Sequence, residues 1–163
     1  MRSKIEFIRE QGFTTEGCPD GLYEALMLQP RVIAGVVITG VLFQSPWLFL
    51  ALSTVLYWGA LLPGRNLFDA FYNHVMADRK RLAAMPAAPP PRRFAQAVAG
   101  TFAGSIAMAL FAGVSPAAWL LESVFVAGSM SVVVRRFCLP AYVYHLLWAG
   151  TPATPCPSSP GRA

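Results

Sequence analysis

The sequence predicts an all-α membrane protein: four transmembrane helices paired as two hairpins, with a cytoplasmic interfacial helix between them. Three observations carry that prediction. Two long apolar stretches, Val32 to Leu62 and Phe94 to Val134, are each divided by a short turn, Gln44-Ser45-Pro46 and Gly113-Val114-Ser115-Pro116. All 13 Lys and Arg residues fall outside those turns and outside the apolar runs. Charged residues make up only 13% of a chain that is 55% hydrophobic, about half the charged share of an ordinary soluble domain. Bases at the ends of each hairpin, and none at its turn, place both termini in the cytoplasm.

Residues 1–30 read as a cytoplasmic N-terminal arm, with Ile5, Phe7, Ile8 and Phe13 on one apolar face and Asp20 as a helix cap. No apolar core precedes a small-residue cleavage site, so the first span is expected to act as an uncleaved insertion signal. That span, 26–43, is short unless it starts near Leu26 and Arg31 reaches back to the head groups. The second span, 47–62, is also short. The third and fourth, 94–113 and 117–134, have the length of full crossings, and Ser115-Pro116 reads as an N-cap followed by the first helical residue. Trp47 and Trp119 are expected near the outer interface, and Tyr57, Trp58 and Phe94 near the inner one. Each hairpin carries a Ser-Pro turn, a following Trp and a basic exit. This is either a two-helix repeat or what any short hairpin requires.

Between the hairpins, 66–82 reads as an interfacial helix capped by Asn66, with Asp69 at the third position. Pro86, Pro89, Pro90 and Pro91 predict an extended linker. A second interfacial helix is expected at 137–149 and a disordered tail at 151–163. The net charge of +5 is carried by bases that flank apolar segments. Arg65, Arg79, Lys80, Arg81, Arg92, Arg93, Arg135 and Arg136 are therefore read as contacts to lipid head groups, and no nucleic-acid partner is expected.

Four local strings resemble a known family: Phe7-Ile8-Arg9-Glu10-Gln11-Gly12-Phe13, Asn66-Leu67-Phe68-Asp69-Ala70-Phe71-Tyr72-Asn73, Pro91-Arg92-Arg93-Phe94-Ala95-Gln96 and Arg136-Phe137-Cys138-Leu139-Pro140-Ala141-Tyr142. The chain is similar to the bacterial membrane proteins grouped as domain of unknown function 4395. That resemblance implies a small multi-span protein of the bacterial inner membrane and no settled activity. Relatives often carry a second cysteine three residues after the first in the last string, as Phe-Cys-Leu-Gly-Cys. Here Ala141 differs from that pattern, which removes the second thiol of any pair.

Few residues offer chemistry. Cys18 and Cys138 are the candidate redox or sulfur-carrying pair, with Arg135 and Arg136 placed to lower the thiol pKa of Cys138. The alternative is two small apolar residues at helix ends. No structural disulfide is expected among Cys18, Cys138 and Cys156 in a reducing compartment. Glu122, the one ionisable residue within a span, is the candidate intramembrane polar site. It is either a proton site or a polar anchor for a partner helix, or else it bonds a neighbouring hydroxyl such as Thr54 or Ser105. His74 and His145 lack a second ligand at helical spacing, so no haem, pigment, metal or other cofactor is expected. Gly100 and Gly104 form a small-xxx-small pair suited to close helix packing, within the bundle or with another subunit. No phosphate-binding loop, catalytic triad or carboxylate pair is present. The sequence therefore reads as a non-catalytic scaffold or accessory subunit, partnered by lipid and by a membrane protein or a second copy. The alternatives are a membrane thiol protein using Cys138 and Cys18, and a small oligomeric proton-linked carrier using Glu122.

Overall fold

The computed structural model describes residues 2–15, 21–77, 85–148, 150 and 152–156. Among these it forms seven α-helices and no strand: α1 Lys4–Glu10, α2 Leu22–Phe43, α3 Pro46–Leu61, α4 Leu67–Phe71, α5 Pro90–Phe111, α6 Ser115–Arg135 and α7 Leu139–Leu147. A 3-10 turn, Pro63–Arg65, links α3 to α4, and α4 runs on as a π-helical segment, Tyr72–Ala77. Three helices, α2, α5 and α6, are long and apolar enough to cross a membrane. The 16-residue α3 is apolar but shorter; at 1.5 Å per residue it rises about 24 Å against a hydrocarbon core of about 30 Å.

The chain forms two antiparallel hairpins, α2–α3 and α5–α6, whose turns lie at one end of the bundle. At the first turn Gln44 adopts a left-handed conformation (φ 45°). Ser45 then accepts a hydrogen bond from Leu48 N at 3.4 Å, with Pro46 in the first helical turn, where a missing N–H costs nothing. At the second turn Gly113 takes φ +69°. There α6 begins at Ser115 itself, and its cap Val114 makes no side-chain bond. Ser115 therefore lies one residue inside the position expected of it. The proline run also differs from expectation, because α5 starts at Pro90. Pro90 and Pro91 sit in the first turn, whose N–H groups have no intrahelical partner in any case.

The hairpins join chiefly through α3 and α5. Arg92, Gln96, Gly100, Ala103 and Ala107 form the buried stripe of α5, spaced to share one helical face. Ser53 Oγ donates to Gly100 O across this interface at 2.8 Å. A Cβ on Gly104 would stand 3.1 Å from Ser53 Oγ, and one on Gly100 would stand 3.2 Å from the Tyr57 ring. These glycines thus set the separation of α3 and α5. Around them Val37, Phe49, Leu56, Ile106 and Phe125 close the core. By contrast α6 buries only Ala118, Glu122 and Phe125, and most of it faces outward.

A second core lies at the end opposite the turns, where Phe7, Ile8 and Phe13 pack against Leu22, Leu26, Met27 and Tyr72. Phe7 and Phe13 are fully buried, each worth about 1.5–3 kcal/mol where the alternative is water. Ser3 and Glu6 form a reciprocal capping box at the start of α1. Gly12, at φ +92°, lets the arm turn against the start of α5: a Cβ there would meet Pro89 Cβ at 2.9 Å. Residues 152–156, expected as part of a disordered tail, run beside the arm. Thr14 N donates to Thr154 O at 2.9 Å and Thr154 N to Gly12 O at 2.8 Å. Asp20, the expected cap of the following helix, lies outside the described residues.

Candidate functional site

At the end carrying α1, α4 and α7, a cavity of about 350 Å³ opens between α2, α5, α6 and the start of α7. Its walls are apolar, including Leu26, Ile33, Phe102, Phe125 and Val132. Seven polar or thiol-bearing residues line it: Gln29 on α2, Arg92 and Gln96 on α5, Ser129 and Ser131 on α6, and Gln11 and Cys138. Gly128 of α6 also lines it, and a Cβ there would meet nothing within 4 Å.

Arg92 organises the polar group. It is only 3% exposed and grips Asp69 with both terminal nitrogens, Nη1 to Oδ2 at 3.0 Å and Nη2 to Oδ1 at 2.6 Å. This fork geometry is the strongest form of the carboxylate–guanidinium pair. Arg92 Nη2 also donates to Gln29 Oε1 at 2.7 Å, and Gln96 Nε2 donates to the same oxygen at 3.1 Å. Asn66 caps α4 by accepting from Phe68 N at 3.1 Å. Asp69, expected to complete that cap, instead turns inward to Arg92. Among the described residues, two fully enclosed side-chain atoms have no hydrogen-bond partner, Asn66 Nδ2 and Gln96 Oε1. Both border Gly59, where a Cβ would sit 3.2 Å from Gln96 Oε1 and 3.4 Å from Asn66 Nδ2.

The structure separates Arg92 from the other residues read as lipid contacts. Arg65 and Arg135 are exposed, while Arg93 Nε caps Ala60 O at 2.7 Å. Arg136 Nη1 donates to Arg2 O at 3.2 Å. Arg79, Lys80 and Arg81 lie outside the described residues. Arg92 is held inside by a carboxylate that α4 supplies from 23 residues upstream, so it cannot serve as a surface cation.

Cys138 is buried, and burial pushes its thiol up to about 11, with the Glu10 carboxylate acting in the same direction. Arg135 and Arg136 do not lower it, contrary to the sequence expectation. Glu10 is itself buried, accepting from Cys138 N at 3.2 Å and from Arg2 Nη1 at 3.1 Å. Desolvation raises its pKa despite Arg2. Cys18 lies outside the described residues. Cys156 is disulfide-bonded, against the expectation that no disulfide forms, and its N–H donates to Thr14 Oγ1 at 3.2 Å.

Glu122 lies toward the opposite end, buried to 3% exposure. Its partner is neither Thr54 nor Ser105. Gln44 Nε2 donates to both carboxyl oxygens, at 3.2 and 3.1 Å, and to Val41 O at 2.8 Å, while Thr54 bonds its own helix at Leu50 O. His145 Nε2 pairs with Glu10 O at 3.0 Å, His74 is exposed, and no metal-binding group occurs among the described residues.

Sequence reasoning missed Gln29 and Gln96 and placed Arg92 and Asp69 elsewhere. A signal existed, since Arg92 and Gln96 are four apart and in phase with Gly100. A sequence model of the family described as Domain of unknown function (DUF4395) matches residues 25–149, and the chain belongs to that family. Neither the curated proteins nor the solved structures contain a match.

Proposed function

We propose that this family member is a membrane protein that binds a small lipophilic molecule in the cavity between α2, α5, α6 and α7. One observation carries the reading: an apolar-walled space of about 350 Å³ with convergent polar groups at one side, within the size range of small-molecule sites. An entrant from the bilayer would meet hydrocarbon first and hydrogen-bonding groups last. This accounts for more of the structure than a scaffold role, which needs only an outer surface. The thiol alternative is weakened by the protonated state of Cys138 at neutral pH, and the carrier alternative by the engagement of Glu122 with Gln44.

The cavity end faces the cytoplasm of a bacterial inner membrane in this proposal. Arg2, Lys4, Arg9, Arg65, Arg93, Arg135 and Arg136 all lie at that end, and the two turns at the other end contain no base. The bonded Cys156 would favour an oxidising compartment, but one bond weighs less than that charge asymmetry. Reporter fusions at the C-terminus decide the orientation.

The test of binding is solvent extraction of the detergent-purified protein followed by mass spectrometry. A lipophile near one per chain, enriched over surrounding membrane lipid and lost from Gly128→Phe, supports the proposal. An extract matching bulk lipid in both proteins overturns it.

A further inference from the structure

Resting on that reading, we infer that the ligand carries an uncharged head with a hydrogen-bond-accepting oxygen, such as a ketone or quinone carbonyl, which Gln29 recognises. A guanidinium can only donate, so the 2.7 Å contact from Arg92 Nη2 fixes the Gln29 side-chain oxygen toward Arg92. Gln96 donates to that same oxygen at 3.1 Å. The Gln29 amide nitrogen is thereby turned away from both. It carries two N–H donors and has no hydrogen-bond partner among the described residues. Gln29 is 5% exposed and lines the cavity, so an acceptor entering the cavity would supply the missing partner.

Charge then selects the kind of acceptor. Among the described residues, the one cation lining the cavity, Arg92, is already matched by Asp69 through two short contacts, and the remaining polar lining consists of amides, hydroxyls and a thiol. A carboxylate or phosphate head would lose its hydration and meet no net positive charge, a costly transfer. A carbonyl head loses little hydration and gains a bond that is otherwise unmade. A pure hydrocarbon would fill the walls and leave the Gln29 donors unpaired.

The experiment uses the full chain in phosphatidylcholine nanodiscs, with para-octylbenzophenone as photoreactive reporter and peptide mapping to locate its crosslinks. Three matched competitors differ only at the head: para-octylacetophenone, octylbenzene and para-octylbenzoate. The expected result is crosslinking at cavity residues, with the ketone competing about five- to ten-fold better than the hydrocarbon and the benzoate no better than the hydrocarbon. In Gln29→Met the ketone's advantage over octylbenzene falls toward unity. Equal competition by ketone and hydrocarbon, or the strongest competition from benzoate, overturns the head assignment while leaving cavity binding intact. Absence of cavity crosslinks sinks the binding reading itself. If Gln29→Met does not fold, the competitor ratios on the unmodified protein still decide.

Discussion

Asp69→Ala removes the carboxylate partner of the deeply buried Arg92. Arg92 is 3% exposed and Asp69 8%, so little water is available to replace the lost carboxylate. Arg92 would keep only its bond to Gln29, and breaking such a buried pair from one side costs about 3–5 kcal/mol. The capping contribution of Asp69 is small, because Asn66 caps α4 and a single first-turn acid adds about 0.3–1 kcal/mol. For a chain of this size each kcal/mol moves the melting midpoint roughly 2–4 °C, so thermal unfolding in a mild detergent should show a fall of about 6–20 °C. The double variant Asp69→Ala with Arg92→Met removes the stranded charge and should recover most of that loss, since apolar replacement of a buried pair is often neutral. A loss under about 1 kcal/mol in the single variant would mean that the pair behaves as an exposed one. A double variant as damaged as the single would mean that the charge is not the cause. Either result refutes the reasoning.

Three further outcomes follow from the same end of the molecule. With its thiol near 11, about one Cys138 in ten thousand is thiolate at pH 7, so maleimide followed by peptide mapping should leave it unmodified until the protein is denatured; rapid native labelling would contradict the burial. Glu10 has a pKa raised above 4.5 by desolvation, so the folded state favours its protonated form, and stability is lost as pH rises through the folded pKa. Glu10→Gln should therefore melt higher than the parent at pH 7, by a margin that shrinks toward pH 4; a margin constant with pH removes the assignment. Gly12→Ala places a Cβ 2.9 Å from Pro89 Cβ at φ +92°, which should cost at least about 1–3 kcal/mol in the same thermal assay, and no change would show that the arm does not pack on α5.

The helices were legible because apolar run length and turn chemistry act locally. Gln44-Ser45-Pro46 and the bases around it announce a hairpin whatever it packs against. The polar cluster was not legible, because its members come from α2, α4 and α5 and only tertiary packing joins them. A Pro-Arg-Arg string does not say which arginine turns inward. The answer lay in phase, with Arg92 on the face of Gly100 and Ala103 and Arg93 off it. Cys138 misled for a related reason. Two neighbouring arginines in sequence suggest a lowered thiol, whereas the fold sets Glu10 beside it and removes water. The four strings that carry the family resemblance are scattered along the chain, yet Glu10, Asp69, Arg92 and Cys138 from them all lie at the cavity end.

The two polar features of the bundle have different tasks. Gln44 holds a left-handed conformation at φ 45°, which costs a residue with a side chain about 1–3 kcal/mol. Its two amide hydrogens, one directed at Val41 O and one shared by the two Glu122 oxygens, contribute about 0.5–1.5 kcal/mol each, which offsets much of that strain. Glu122 thus pins the turn of one hairpin to the first helix of the other. A proton-carrying role would need a polar route from Glu122 toward Arg92. Val37, Phe49, Ile106 and Ala107 lie in the core between the two ends at 0–1% exposure, and none offers a hydrogen-bonding side chain. An acid engaged by Gln44, with these apolar side chains between it and Arg92, fits an anchor of the fold at the turn end, which leaves the cavity as the site proposed for a ligand.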